Sequence, residues 1–258
     1  MKIYSSMLLC VIISLLLISS LTAGVYMTGT VKDEGKTSKM EMFVEKDRLR
    51  FQSAGEMGEQ IFIYRGDLDK FWTVNNGKYM EMTREDMKQM GAQMNDAMKM
   101  MEEKMQDLPD DQKKLMQQYM KGKMPGQEMA DTEKSKTVWK RIGKEKINNW
   151  ECAKFESNDG QTTWTVEPDQ IGLTKDDFQV FESVQDFFGE FMKDNDSFLK
   201  YSATDDSDGL SGFPVKSVSN SGEEHLMNEI TKKKLDGNLF ELEKNWVKED
   251  MPTMSPMR

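Results

Sequence analysis

The chain has 258 residues, a formal net charge of −10 and 24 methionines, with 13 phenylalanines and 5 tryptophans. That length suits one large domain or two small ones, with enough apolar material for a real core. The acidic balance argues against nucleic acid and against electrostatic docking on anionic lipid, since no stretch combines dense Lys/Arg with interleaved aromatics.

The first residues have the pattern of a secretion signal. Lys2 supplies a positive start, Met7 to Ile18 is an almost unbroken apolar run, and Leu21-Thr22-Ala23 places small residues before an expected cleavage after Ala23. The run is shorter than the roughly 20 residues a spanning helix needs, and Cys10 lies too deep in it, behind Leu9, to be a lipid anchor. The expectation is a signal peptide over 1–23 and an exported protein of the periplasm or cell envelope. Cleavage would leave Cys152 alone, with no disulfide partner. A solitary cysteine in such a chain reads as a small buried hydrophobe.

From Val25 to Met82 short alternating runs are joined by turn residues. Met40, Met42 and Val44 share one side and Lys39 and Glu41 the other, while Leu49 and Phe51 face away from Arg48 and Arg50. "DEGK" and "EKDR" supply turns, and Asn75-Asn76-Gly77 supplies the positive φ that a tight hairpin needs. The spacing predicts an antiparallel meander of about six strands.

From Thr83 to about Asp131 the period becomes helical. Thr83 and Asp86 form an N-terminal cap. Met87, Met90, Met94, Met98, Met101 and Met105 then fall on one stripe of one helix. Leu108-Pro109-Asp110-Asp111 breaks the chain, and a second helix carries Leu115, Met116 and Met120 before Pro125-Gly126. The expectation is a single domain over 24–258 with this Met-rich helical hairpin inserted at about 83–131.

Strands resume from Lys136. "KTVWKRIGKEKINNWECAKFE" predicts a hairpin about Asn148-Asn149, and "QTTWTVE" another strand. In "TKDDFQVFESVQDFFGEFM" Phe178, Phe181, Val184, Phe187, Phe188 and Phe191 fall largely on one side of a helix. After an acidic loop, the last predicted strands are "FPVKSVSN", "EEHLMNEITKKK" and "NLFELE".

"INNWECAKFE", "TTWTVEPDQIGL", "GFPVKSVSNSGEE" and "KKKLDGNLFELEKNWVKEDMP" together resemble a family of uncharacterised exported bacterial proteins. That family is a Met-rich domain of unknown function related to the periplasmic lipoprotein carriers LolA and LolB. Trp150 and Cys152 match its pattern, with Asn149 where a turn glycine is common. Leu235-Asp236-Gly237-Asn238-Leu239-Phe240 matches its closing element, with Lys234 in place of the leading proline. The resemblance implies an α+β fold: a strongly curved antiparallel sheet, open like half a barrel, with the helical hairpin and a further helix covering the concave face. Members of the wider fold hold acyl chains or a lipidated partner between sheet and helices.

This fold gives the methionines a role. Methionine is unbranched and flexible, so it covers a surface whose occupant varies. The expected function is a non-enzymatic binding protein holding a lipid, acyl chain or lipidated partner in an apolar cavity lidded by Met-rich helices. The expected lining is Met40, Met42, Val44, Leu49, Phe51, Trp72, Val74, Met94, Met98, Met101 and Met105. One alternative is Cu(I)/Ag(I) binding through pairs such as Met87/Met90, Met98/Met101 and Met80/Met82; the other is a filled core that works through its surface. No cofactor is expected, and one His with the one Cys left after cleavage builds neither a nucleophilic relay nor a zinc site. "GKTS" at 35–38 lacks the first phosphate-loop glycine. "TDDSDG" at 204–209 lacks calcium carboxylates at both ends.

Overall fold

The computed structural model describes residues 23–55, 58–106, 137–189 and 209–251. The expected signal, up to residue 22, and the second helix of the hairpin lie outside the described residues.

Six strands open the fold: β1 (Gly24–Asp33), β2 (Lys36–Val44), β3 (Arg48–Gly55), β4 (Gly58–Arg65), β5 (Lys70–Asn75) and β6 (Lys78–Thr83). They form the expected meander, each strand pairing antiparallel with the next. The turn chemistry is as the sequence predicts: Glu34 and Gly35 take φ of 46° and 80°, and Asn76 and Gly77 take 50° and 77°. Helix α1 (Arg84–Gln106) follows, opened by Asp86 accepting from the Thr83 backbone N–H and hydroxyl.

Strands β7 (Trp139–Ile147), β8 (Trp150–Ser157) and β9 (Thr162–Val166) come next, then a 3-10 turn at Lys175–Phe178 running into helix α2 (Gln179–Phe188). Strands β10 (Phe213–Val218) and β11 (Glu224–Lys233), a 3-10 turn at Gly237–Phe240 and the short β12 (Val247–Lys248) are the last described elements. At the β7–β8 turn the left-handed residue is Asn148, with φ 53°, one position before the Asn149 expected to fill that role.

The twelve described strands form one sheet, in the order β12-β6-β5-β4-β3-β2-β1-β11-β10-β9-β8-β7. Its curvature follows from two ring contacts. Phe188 on α2 meets Phe71 on β5 at 4.9 Å, and Phe178, just before α2, meets Phe213 on β10 at 5.2 Å. Six inter-strand steps separate β5 from β10, about 29 Å in a flat sheet. Ten residues of helix advance only about 15 Å. The sheet must therefore curl around α2, with a bulge at Thr28/Gly29 against β11 and another at Pro214/Lys216 adding local bend.

Each face of the sheet has its own apolar cluster. The concave cluster gathers Val25, Val44, Tyr64 and Phe71 under Val180, Val184 and Phe187 of α2. The Tyr64 hydroxyl donates to the Ser183 carbonyl at 3.2 Å, and Lys232 pairs with Asp177 at 2.7 Å, so α2 and its preceding turn are pinned across the sheet. The convex cluster is Phe43, Ile61, Ile63, Trp72 and Val74, closed by Leu235 and Phe240. Three arginines hold that closing segment. Arg50 donates to the Leu239 carbonyl at 3.0 Å and Arg65 to the Phe240 carbonyl at 3.3 Å, while the Arg48 guanidinium sits 4.9 Å over the Phe240 ring.

Two expectations are corrected here. The fold is dominated by its sheet and is not a helix-covered α+β arrangement. Among the described residues the concave core is filled by the ten-residue α2 and its preceding turn, with α1 contributing Met87 from its first turn. The convex face has a full core of its own, covered by irregular chain rather than by helix. "NLFELE" is also not a strand: Gly237–Phe240 is a 3-10 turn capped by Asp236, which buries Phe240 completely.

Candidate binding surface on the concave face

Cross-strand pairing resolves the concave face into rows. The first runs Val25–Val44–Leu49–Tyr64–Phe71–Met82 across β1 to β6. It lies beneath α2, where Phe187 meets Tyr64 edge-on at 5.7 Å and Phe71 at 6.4 Å. This part of the trough is filled by the protein's own aromatics.

The next row is different. Ile230–Met27–Met42–Phe51–Phe62–Thr73–Met80 crosses seven strands from β11 to β6, each residue opposite the next. Met27 is buried, while the other six are half-buried. The rings of Phe51 and Phe62 lie 6.0 Å apart, and those of Phe62 and Phe71 6.1 Å, joining this band to the filled row. Beyond it, Met227, Gly29, Met40, Ser53 and Gln60 continue across β11 to β4, and there the face turns polar. Met40 packs over Gly29, where no side chain intervenes.

The band carries no charge. Its one polar side chain, Thr73, has a buried hydroxyl oxygen without a hydrogen-bond partner among the described residues. The nearest ion pairs stand at the margins. Arg84 pairs with Asp69 at 3.0 Å, donates to the Asp186 carbonyl at 3.2 Å and lies 5.5 Å over the Phe187 ring, tying the start of α1 to the end of α2. At the other margin Asp177 caps Thr174 while it holds Lys232; burial opposes its ionisation, but the Lys232 and Thr174 hydrogen bonds prevail and keep its carboxyl below the usual range. Burial raises both the Tyr64 phenol and the Cys152 thiol. Cys152 is 1% exposed, and its thiol is accordingly unsuited to attack. His225 bonds Glu223 at 2.9 Å on the surface. Among the described residues no group of three His, Cys, Asp or Glu side chains could hold a metal ion. No described helix is long and apolar enough to cross a membrane.

The residues expected to line a cavity divide accordingly. Met40, Met42 and Phe51 lie in the half-buried band or beside it, and Val44 and Leu49 belong to the row under α2. Trp72 and Val74 lie on the opposite, convex face. Met94, Met98, Met101 and Met105 lie along the α1 backbone, but their side chains are outside the described set. Sequence reasoning missed Met27, Phe62, Met80 and Ile230. Met80 and Met82 had the right spacing, and Phe62 stands between Ile61 and Ile63, where a run apolar on both sides hides its phase.

The chain shows likeness to several solved structures. A crystal structure of an uncharacterised conserved protein from Thermus thermophilus aligns at 7% identity and TM-score 0.41, over 94% of this chain and 99% of that one. PNGF-II aligns at 11% identity and TM-score 0.36, over 89% of this chain but 32% of its own. The Pseudomonas aeruginosa MucA/MucB complex aligns at 9% identity and TM-score 0.37, over 86% and 56%. The chain thus spans about a third of the length of PNGF-II and little more than half of the chain matched in that complex. No curated protein matches the sequence. Residues 54–246 match the model of the domain of unknown function DUF4412, and the chain belongs to that family.

Proposed function

We propose that this protein is an exported, non-catalytic binding protein whose concave face receives an acyl chain, from a free lipid or from a lipidated partner. The observation that carries this reading is the partition of methionine between the two faces. Among the described residues the concave cluster holds Met27, Met42, Met82, Met87 and Met227, while the convex cluster holds none. The convex core is built from Ile, Val, Phe, Leu, Tyr and Trp, which pack once and stay. The concave band places thioethers and Phe rings at half burial, which suits a surface that adapts to its guest.

The energetics are adequate without any polar anchor. Burying about 14 methylenes contributes on the order of 10 kcal/mol at ~0.8 kcal/mol each. Ordering the guest and the side chains that receive it removes much of that, leaving micromolar affinity.

Native mass spectrometry of protein purified from its host envelope tests the reading. A co-purifying acyl-bearing mass, displaced by added palmitate, is the expected result. Bound Cu(I) in its place would make the protein a thioether metal buffer. A clean apo mass that takes up no palmitate would leave a surface-acting module. In a second arm, Phe51→Arg with Met80→Arg places two charges in the band and lowers palmitate affinity about tenfold or more. An unchanged affinity would overturn the proposed site.

A further inference from the structure

Among the described residues strand β7 ends the sheet, pairing with β8 on one side and with no described strand on the other. Gly209 backs onto the Trp139 carbonyl at its start. From Lys140 to Lys146 every residue is exposed, and Ile142 stands 46% in water. The opposite end of the sheet is only the two-residue β12, so β7 is the long terminal edge among the described strands. An edge of this kind presents a row of unpaired backbone N–H and C=O groups to anything that can add a strand.

Edge strands are often blunted by charge, and a bulge at Arg141/Gly143 contributes here too. Lysines blunt an edge against indiscriminate pairing and at the same time give it a sign that selects what can dock. Within β7, Lys140, Arg141, Lys144 and Lys146 outnumber Glu145, a strand charge of 4 − 1 = +3 in a chain of net −10; Glu156 and Glu151 of β8 lie opposite Lys140 and Lys146, while Arg141 and Lys144 face no carboxylate. Glu145 is moreover engaged, accepting from the Trp164 indole at 2.9 Å and from Lys154 at 3.3 Å. Two copies joined edge to edge through β7 would set cations against cations, which disfavours self-pairing. Beyond the bulge, Gly143 to Ile147 pairs regularly with Lys154 to Trp150, a run long enough for a short added strand.

We infer that β7 is a docking edge that takes an extended acidic segment of a partner protein as a thirteenth strand, with main-chain hydrogen bonds supplying affinity and the four cations selecting the sign. This surface is distinct from the concave band and does not depend on it. A labelled, end-blocked octapeptide alternating Glu and Val, titrated with the full chain and followed by fluorescence anisotropy, tests it. Saturable binding is expected, weakened about tenfold by the combined variant Lys140→Gln, Lys144→Gln and Lys146→Gln. It should be lost when alternate peptide amides are N-methylated, because a methylated amide cannot join a ladder. The same triple variant should leave palmitate uptake unchanged, which separates this inference from the acyl-binding reading. Equal binding of an alternating Lys and Val peptide overturns the inference, as does undiminished binding of the N-methylated peptide. Absence of peptide binding, with lysine-dependent binding to phosphatidylglycerol vesicles instead, overturns it in favour of a membrane surface.

Discussion

A Cβ added at Gly29 would fall 2.6 Å from the Leu226 carbonyl oxygen and against the Met40 methyl. The Met40 terminus can swing aside, but the β11 backbone at the bulge cannot. Gly29→Ala should therefore cost about 1–3 kcal/mol, read as a lower urea midpoint at unchanged slope. Gly143→Ala, whose Cβ meets nothing within 4 Å, should stay within about 0.5 kcal/mol. Glu81 offers a second test at this scale. The Trp72 indole donates to its carboxylate at 2.9 Å; burial opposes ionisation, but with Lys70 and Lys248 also bonded the pKa is held down to about 2. A depressed carboxylate contributes stability that is fully present above its unfolded value of about 4.5 and is lost as pH falls toward 2. Screening of the exposed lysines reduces the contribution to about 1 kcal/mol. Glu81→Gln should remove that part of the acid slope between pH 4.5 and 2 while leaving the rest of the pH profile in place. An unaltered slope in urea titrations across that window would refute the assignment.

Helix α2 is the element on which the concave core depends. Phe187 is 2% exposed and touches Tyr64, Phe71 and Phe188, so Phe187→Ala should cost about 3–5 kcal/mol. Thr174→Ala removes one half of the capping box before it and should cost about 1 kcal/mol. Thermal melts of the two variants should rank in that order, and a Thr174→Ala loss equal to that of Phe187→Ala would mean that the turn, not the aromatic stripe, anchors the helix. This helix was legible in the sequence because its Phe and Val residues repeat at about 3.6, and Phe178, Val184 and Phe187 are buried as that period requires. The first six strands were legible for a similar reason, with period-two alternation and Asn-Gly turn chemistry both local. The closing segment was not. Leu239 and Phe240 read as part of a strand, but Phe240 is buried through Arg48, Arg50 and Arg65, far away in the chain, and no local pattern reports such contacts.

At the scale of the molecule, the candidate site was half legible for a reason that Trp72 makes plain. Alternation separates the two sides of one strand, but it does not say which side of β5 matches which side of β2. A sheet that buries both faces leaves both sides apolar: in β5, Phe71 faces α2 and Trp72 faces Leu235 and Phe240. Residue type carried the distinguishing signal, since β-branched and aromatic residues build both clusters but methionine, among the described residues, belongs to the concave one alone. That partition makes a prediction about chemistry rather than stability. Peroxide converts exposed thioethers to sulfoxides, and accessibility orders their rates. In protein free of guest, Met100, 57% exposed, should oxidise first; Met42 and Met80, half-buried in the band, should follow; and Met27, 1% exposed, should oxidise last. Saturation with palmitate should slow Met42 and Met80 about threefold or more while leaving Met100 unchanged, because only the band would lose access to solvent. Peptide mapping by mass spectrometry resolves each site. Protection spread evenly over all four would indicate general tightening of the fold, and protection absent from Met42 and Met80 would place any guest elsewhere.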